Sequence, residues 1–491
     1  MNKGRFLSAR INAVLNVIKT ISSVVFPLIT FPYVSRVLTV EAIGAYNFSA
    51  SIVSYFSLLA GLGISTYAIR EGTQYRGDKT NIEKFTSEVF SINLVSTILS
   101  YIVLFGCIAF VQKIHNYALI VSILGTEILF TTIGVNWLCN IYEDFLYVTV
   151  RTIAFQFLSL IATFVFVRSP DDILRYVIIV VCASSGANLL NYFYIRKNYV
   201  KFHFRFVPEM KKHIKPIIII FFTTITITLY VSSDVTILGF LSDDRQVGLY
   251  SASVKIYTII KNLLVAVVAV LIPRFSLLFS AGDEERASTL FSKVFKTITV
   301  LVFPMTVGLF MTSTDVITLV AGIKYIDAGA SLAILSIATM FSMFAYMYTN
   351  CVIIPLKKEK VTLYASILSA IVNVGLNFLL IPILGINAAA ITTVIAEAIM
   401  CMISIIYSHK KINLENVGKC VLTTVFSCLL IILMCLIHSK IENLMIRITV
   451  KIFSSAILYF VSMRLMKNEV FMEYMGMFKN KIHKQLRRNK V

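Results

Sequence analysis

Three lysines, Lys19, Lys255 and Lys261, lie inside long apolar stretches of the chain. On insertion scales a lysine at the centre of a bilayer costs about 2.5–3.5 kcal/mol, so such a charge faces a wet cavity or an opposite charge. None sits near enough to the end of its stretch to reach the headgroups comfortably along its own side chain. The chemistry they offer is electrostatic, because an ammonium is a compact point charge suited to phosphate. Polar residues accompany them at helical spacing. Asn12, Asn16, Lys19, Ser23 and Thr30 share one face with Pro27. Asn47, Ser51, Ser54, Gly61 and Ser65 form a second row, and Ser251, Lys255, Thr258 and Asn262 a third, with Lys261 beside it. A fourth row holds Thr223, Thr226, Tyr230 and Ser233, with Asp234 adjoining. Two readings stand for the neutral residues: glue between membrane helices, or the wall of a hydrated cavity. For the lysines the choice is between cavity lining and a structural ion pair. Asp234 is the expected partner in the second case, as the only carboxylate in the four striped segments.

A cavity with more lysines than carboxylates suits an anionic substrate. Tyr46, Tyr55, Tyr230, Tyr250 and Tyr257 could offer flat amphipathic faces to sugar rings, although packing accounts for any one of them singly. Glu127 and Glu397 are intramembrane carboxylates that could carry a coupling proton or cation, or simply hydrogen-bond between helices. A catalytic or metal site is not expected. The six histidines are dispersed near segment ends outside any metal spacing, and none of the eight cysteines forms a C-x-x-C pair.

The elements that must hold these residues are membrane helices. A spanning helix needs about 20 mostly apolar residues, and only internally satisfied backbones cross a bilayer. Fourteen such segments are predicted, near 11–32, 43–67, 86–110, 116–138, 145–167, 172–195, 213–240, 247–272, 290–311, 327–350, 361–382, 386–408, 419–438 and 445–463. Hydrophobic residues make up 58% of the 491 and the mean hydropathy is +0.83, too apolar for a soluble domain of this length. The N-terminus, the even-numbered connections and the C-terminal tail hold 32 of the 45 Lys and Arg, counting Lys215, Lys293, Lys296 and Lys419 at the adjoining span ends. The odd-numbered connections hold 6, which places both termini in the cytoplasm. The same bias explains the net charge of +20 and argues against nucleic-acid binding; anionic membrane lipid is the expected surface partner.

The second half echoes the first at a spacing of 204 residues. Gly44-Ala45-Tyr46 recurs as Gly248-Leu249-Tyr250, Ser49 as Ser253 and Arg70 as Arg274; with one residue inserted, Ser87-Glu88-Val89-Phe90 matches Ser292-Lys293-Val294-Phe295. Six spans per unit make the copies insert with the same polarity, the parallel-repeat design. The expected organisation is a six-helix lobe over 1–200, a second over 201–410, and two additional helices with a basic tail over 411–491. The fold class is all-α and polytopic.

Several runs carry a resemblance. Phe26-Pro27-Leu28, Pro32-Tyr33-Val34-Ser35-Arg36-Val37-Leu38, Ile43-Gly44-Ala45-Tyr46, Leu62-Gly63-Ile64 and Arg70-Glu71 resemble the N-terminal signature of Wzx-type polysaccharide repeat-unit flippases. So do Trp137, Glu143-Asp144, Arg151 and Val167-Arg168-Ser169-Pro170-Asp171-Asp172, and later Asn373, Asn377, Ile381-Pro382, Gly385-Ile386, Ala388-Ala389-Ala390 and Glu397. The resemblance covers about residues 8–410. It implies the multidrug/oligosaccharidyl-lipid/polysaccharide exporter superfamily, with two six-helix lobes around a central cavity lined by helices 1, 2, 7 and 8. It further implies a transporter that moves an undecaprenyl-diphosphate-linked oligosaccharide between leaflets of the bacterial inner membrane for O-antigen or capsule synthesis, by alternating access. On that reading Lys19, Lys255 and Lys261 neutralise the diphosphate, while Asn16, Asn47, Ser51, Thr258, Asn262 and Tyr230 hydrate the glycan. Arg36, Arg70 and Arg274 are candidates for gating or entry, and Asp234, Glu127 and Glu397 for coupling to an H+ or Na+ gradient; no bound cofactor is expected. A polysaccharide polymerase and a chain-length regulator are the implied protein partners. The competing cargo on the same fold is a cationic drug or lipid II, but helix 1 lacks the carboxylate typical of proton-coupled drug exporters.

Overall fold

The computed structural model describes residues 9–205 and 207–476, with the side chains of 9, 10, 13, 223, 224 and 226–232 excepted. Long helices run through it: α1 (Ala9–Val37), α2 (Val40–Gly61), α3 (Lys79–Phe110), α4 (Ala118–Gly134), α5 (Phe145–Phe166), α6 (Ile173–Asn198) and α7 (Lys211–Leu241). They continue as α8 (Asp244–Ala269), α9 (Glu284–Ala321), α10 (Gly329–Tyr348), α11 (Glu359–Leu384), α12 (Ile386–His409), α13 (Gly418–Ile437) and α14 (Leu444–Leu465). Among the described residues, thirteen helices are long and apolar enough to cross a membrane, and α7 occupies the place of the seventh predicted span. The chain is a polytopic all-α membrane protein. Rows of exposed Ile, Leu, Val and Phe, such as Leu422, Phe426, Leu429 and Leu433 on α13, are the faces a bilayer would cover.

Contacts divide the chain into two compact units, Met1–Ser251 and Ala252–Val491, with the boundary inside α8. In the first unit the 204-residue repeat is visible in the element starts, since α2 begins at Val40 and α8 at Asp244. The repeated glycines meet one another. A Cβ on Gly44 would lie 1.8 Å from the Asp244 carbonyl oxygen, and one on Gly248 would lie 2.1 Å from that of Val40. Small residues here let two backbones touch, as between many membrane helices. Gly44→Ala is therefore expected to force the first turns of α2 and α8 apart, at about 1–3 kcal/mol or more. Thermal unfolding of the purified protein checks this, and Gly44→Ala combined with Gly248→Ala should cost less than the sum, because both crowd one contact.

Leu62 and Gly63 both adopt left-handed backbone, with φ of 45° and 71°, and break α2 from a short helix at Ile64–Gly72. Gly63 is suited to that conformation and also admits Ile220 of α7, whose Cγ2 would lie 2.6 Å from an added Cβ. That gives the Leu62-Gly63-Ile64 run a physical reason. Asp172 does the same for the run before α6: the backbone N–H groups of Arg168 and Ser169 donate to its carboxylate at 2.9 and 2.8 Å, which holds the carboxyl below the usual carboxylate range.

The second unit is knit by buried polar contacts between helices. The Ser253 hydroxyl of α8 donates to the Ala328 carbonyl at 2.9 Å. Between α11 and α12, the Thr392 hydroxyl donates to Asn377 Oδ1 at 2.6 Å, and Asn377 Nδ2 donates to Asn373 Oδ1 at 3.2 Å. Helices α13 and α14 dock on α9, where Asp315 receives Arg447 at 2.8 Å and Lys451 at 2.7 Å. Arg447 and Lys451 are four residues apart and so share a helix face.

Candidate functional site

Helix α8 separates the two readings of its lysines. Its row Lys255, Thr258 and Asn262 is exposed, while Ile256 and Tyr257 on the other side are buried. Lys255 makes no hydrogen bond or ion pair with any described residue. Lys261, beside the row, is different. Its Nζ lies 2.7 Å from Glu397 Oε1 of α12 and 3.3 Å from the Tyr257 hydroxyl, which itself donates to Glu397 at 3.2 Å. For Lys261 the expectation that Asp234 would be the partner is corrected: the partner is Glu397. Lys261 has room to reach α12, where Glu397 is 5% exposed and needs a counter-charge. Asp234, buried on α7, accepts the Tyr250 hydroxyl at 2.9 Å.

In the first unit the stripe on α2 serves two purposes along its length. Near its start, Ser51 accepts the Thr236 hydroxyl of α7 at 2.9 Å, and Tyr55 lies 3.0 Å from the same hydroxyl, so this end is interhelical packing. Asn47 turns back to its own helix and donates to the Ile43 carbonyl at 2.8 Å. Further on, Gly61 and Ser65 line a cavity of about 90 Å³ with Asn93, Thr131, Asn136 and Trp137. On α1, Asn16 is exposed and Lys19 half-buried. Thr223, Thr226 and Tyr230 fall outside the described side chains. Glu127 of α4 accepts the Ser184 hydroxyl of α6, the first rung of a ladder in which Asn188 donates to Thr131 at 3.3 Å and Asn191 donates to the Gly134 carbonyl at 2.5 Å. Arg36 is exposed and donates to the Pro32 carbonyl at 2.7 Å, Arg70 pairs with its neighbour Glu71 at 2.9 Å, and Arg274 is exposed.

Two groupings escaped the sequence reading. One is a buried chain at the start of α3: the Tyr67 hydroxyl lies 2.5 Å from His213 Nδ1, and His213 Nε2 lies 2.8 Å from Glu88, which Lys212 also approaches at 3.3 Å. Its members are spread over three elements, so no local spacing could have joined them. The other is Arg151 of α5, whose Nη2 donates to Asn136 Oδ1 at 3.0 Å and whose guanidinium lies 5.5 Å from the Tyr147 ring, with no hydrogen-bond acceptor for its buried Nε and Nη1 among the described residues. Its position inside the fifth apolar segment was the available signal. Among the described residues no group of three or more His, Cys, Asp or Glu is placed to hold a metal.

The chain can be compared with known proteins on this footing. The profile of the family described as "Polysaccharide biosynthesis protein" matches residues 10–279. A "Putative O-antigen transporter" of Shigella dysenteriae is 24% identical over 389 residues, 77% of this chain and 94% of that protein. A protein of the same description from Escherichia coli (strain K12) is 23% identical over 271 residues, 55% of this chain; the match spans 65% of that relative, just under two thirds of its length. Among solved structures, "Lipid II flippase MurJ, inward closed conformation" superposes with a TM-score of 0.69 at 16% identity, covering 93% of this chain and 99% of that one. The chain therefore shares the fold of that structure.

Proposed function

We propose that this chain, which belongs to the polysaccharide biosynthesis protein family, flips an undecaprenyl-diphosphate-linked oligosaccharide from the inner to the outer leaflet of a bacterial cytoplasmic membrane. The observation that carries the reading is Lys255: a cation on an exposed polar face of a membrane helix, with no partner among the described residues. An uncompensated intramembrane charge is costly to keep and is used where an opposite charge arrives with the substrate. A diphosphate is such a charge, and ammonium groups take phosphate without a demanding geometry. Thr258 and Asn262 continue the same face and supply hydrogen-bonding groups to a glycan. The O-antigen description of two relatives supports a saccharide cargo. Lys19 joins Lys255 as a carrier of positive charge, whereas Lys261 is assigned to holding Glu397. Transport proceeds by alternating access, with both termini in the cytoplasm, as the positive-inside bias supports.

Complementation tests this. In a strain lacking its own repeat-unit flippase, the wild-type gene should restore surface polysaccharide and clear the lipid-linked units held inside. If wild type reaches the membrane at normal level and those units stay on the cytoplasmic side, the cargo is a different one.

A further inference from the structure

A buried histidine fastens the first turn of α7 to elements of the first lobe. His213 is 3% exposed, and its two ring nitrogens face different elements. Nε2 lies 2.8 Å from Glu88 of α3, and Nδ1 lies 2.5 Å from the Tyr67 hydroxyl of the short helix Ile64–Gly72. An ionised carboxylate only accepts hydrogen bonds, so Nε2 carries a proton. In the neutral ring Nδ1 is then bare, and the Tyr67 hydroxyl donates to it. One chain of donors, from Tyr67 through His213 to Glu88, thus joins three elements. The residues before α7 set this meeting. Val200 and Phe202 are buried while Lys201 and His203 are exposed, the alternation of an extended segment. The backbone N–H groups of Lys201, His203 and Arg205 donate to Glu83, Ser87 and Ser91 of α3, at 3.2, 3.4 and 2.8 Å. Two extended residues span about 6.6 Å and four helical residues about 6 Å, so segment and helix keep step. That register delivers α7 beside Glu88. Contacts accordingly place α7 in the first compact unit, although the repeat makes it the first helix of the second copy.

The chain can take one more proton, on Nδ1, and its surroundings oppose it. The Tyr67 hydroxyl, 5% exposed, must then turn its own proton away from the ring. The new charge also joins two lysines already beside Glu88, Lys212 at 3.3 Å and Lys84 at 4.0 Å. Glu88 still has one buried oxygen, Oε1, that accepts no hydrogen bond. Glu71, the acid of the short helix, is held by Arg70 at 2.9 Å. The segment Trp137–Ile141, packed on the short helix, brings no charge. A histidine buried neutral favours the opened arrangement once it must charge. We propose that His213 is a proton-binding site at the cytoplasmic end of α7. Neutral, it latches α7 to α3 and to the short helix; on taking a proton from the cytoplasm, it releases that end. Release frees α7 to follow the second repeat copy, which gives alternating access a proton-set switch on its inner side. The proposal rests on the proposed orientation and not on the identity of the cargo.

Trp137 offers one readout. It is the single tryptophan, and the Phe85 ring lies 6.3 Å from it and 5.5 Å from His213. The full chain in detergent micelles is taken from about pH 8 to about pH 5, the range in which histidines titrate. Trp137 emission is followed together with amide hydrogen exchange over the first two turns of α7. Exchange there, corrected for the intrinsic effect of pH, should quicken about tenfold or more as pH falls. Trp137 emission should change at the same midpoint. His213→Gln should abolish the transition in both signals. Tyr67→Phe removes the donor that favours the neutral ring, so the midpoint should move to higher pH. Glu88→Gln removes the carboxylate that favours the charged ring, so the midpoint should move to lower pH. A merely structural contact would not give this opposite pair of shifts. A wild type flat across the range would overturn the site. So would an unchanged transition in His213→Gln, which would assign it to another group such as the exposed His203. Should His213→Gln not fold, the other two variants decide, and two unshifted midpoints overturn the proposal. None of these outcomes bears on what the chain carries, and a failure of export leaves this measurement standing.

Discussion

Lys255→Ala is expected to reduce polysaccharide export by about tenfold or more while the protein remains at normal level in the membrane and unfolds no more easily than wild type. The combination of signs is what makes the prediction specific. A lysine inside a membrane segment is unfavourable by about 2.5–3.5 kcal/mol on insertion scales, and Lys255 has no described partner to offset that. Removing it relieves the folded protein of a burden, so stability should hold or rise. If the residue exists to meet a charged substrate, the loss appears in transport alone. Lys255→Arg keeps the charge on a long side chain and should retain most of the activity, because a point charge and not a fixed fork is what the position supplies. Polysaccharide at the cell surface, measured against membrane level of each variant, gives the first reading, and detergent thermal unfolding gives the second. Export by Lys255→Ala at the wild-type rate would remove this residue from the transport path.

Lys261→Ala should do the opposite: lower stability first, and activity only as a consequence. Lys261 and Glu397 are 2.7 Å apart, and Glu397 is buried. Deleting one member of a buried pair leaves the other uncompensated and costs about 3–5 kcal/mol. Glu397→Ala should destabilise comparably by stranding the lysine. Replacing both with apolar residues of similar size, Lys261→Met with Glu397→Leu, should recover most of the loss, since the pair as a whole stabilises little against a hydrophobic substitute. A double variant as unstable as the singles would show that the ion pair itself is required. A double variant that folds normally yet fails to export would give the pair a transport role, and Glu397 would return as a candidate for ion coupling. The two lysines on one helix thus separate by experiment as they do by surroundings.

The fold was largely legible in the sequence, and the site only in part. Long apolar runs with charge-rich ends dictate membrane helices, and the runs predicted near 86–110, 386–408 and 419–438 lie within or nearly coincide with α3, α12 and α13. Gly44 and Gly248 were found as a repeat, and the structure supplies the reason, a backbone contact that leaves no room for a Cβ on either. What periodicity could not give was the direction of each stripe. Ser51 and Lys255 correspond at 204 residues and carry the same helical phase, yet Ser51 packs on Thr236 and Lys255 stays exposed. A helical face is visible in one sequence, but the element it meets is a tertiary fact. For the same reason the sequence pointed to Asp234 and not to Glu397, 136 residues away, as the partner of Lys261. Arg151 was visible as a residue type inside an apolar segment, but that its Nη2 meets Asn136 while Nε and Nη1 meet no acceptor among the described residues is again a tertiary fact.

Transbilayer movement in a defined membrane tests the central claim most directly. The purified chain is reconstituted into liposomes whose undecaprenyl-diphosphate oligosaccharide starts in one leaflet, and the fraction reached by an impermeant glycan-cleaving enzyme in the other leaflet is followed over time. The account predicts that wild type makes the lipid-linked glycan accessible well above protein-free liposomes, and that Lys255→Ala, reconstituted to the same density, does not. Accessibility no greater with wild type than in protein-free liposomes, from protein shown to be folded, would contradict it.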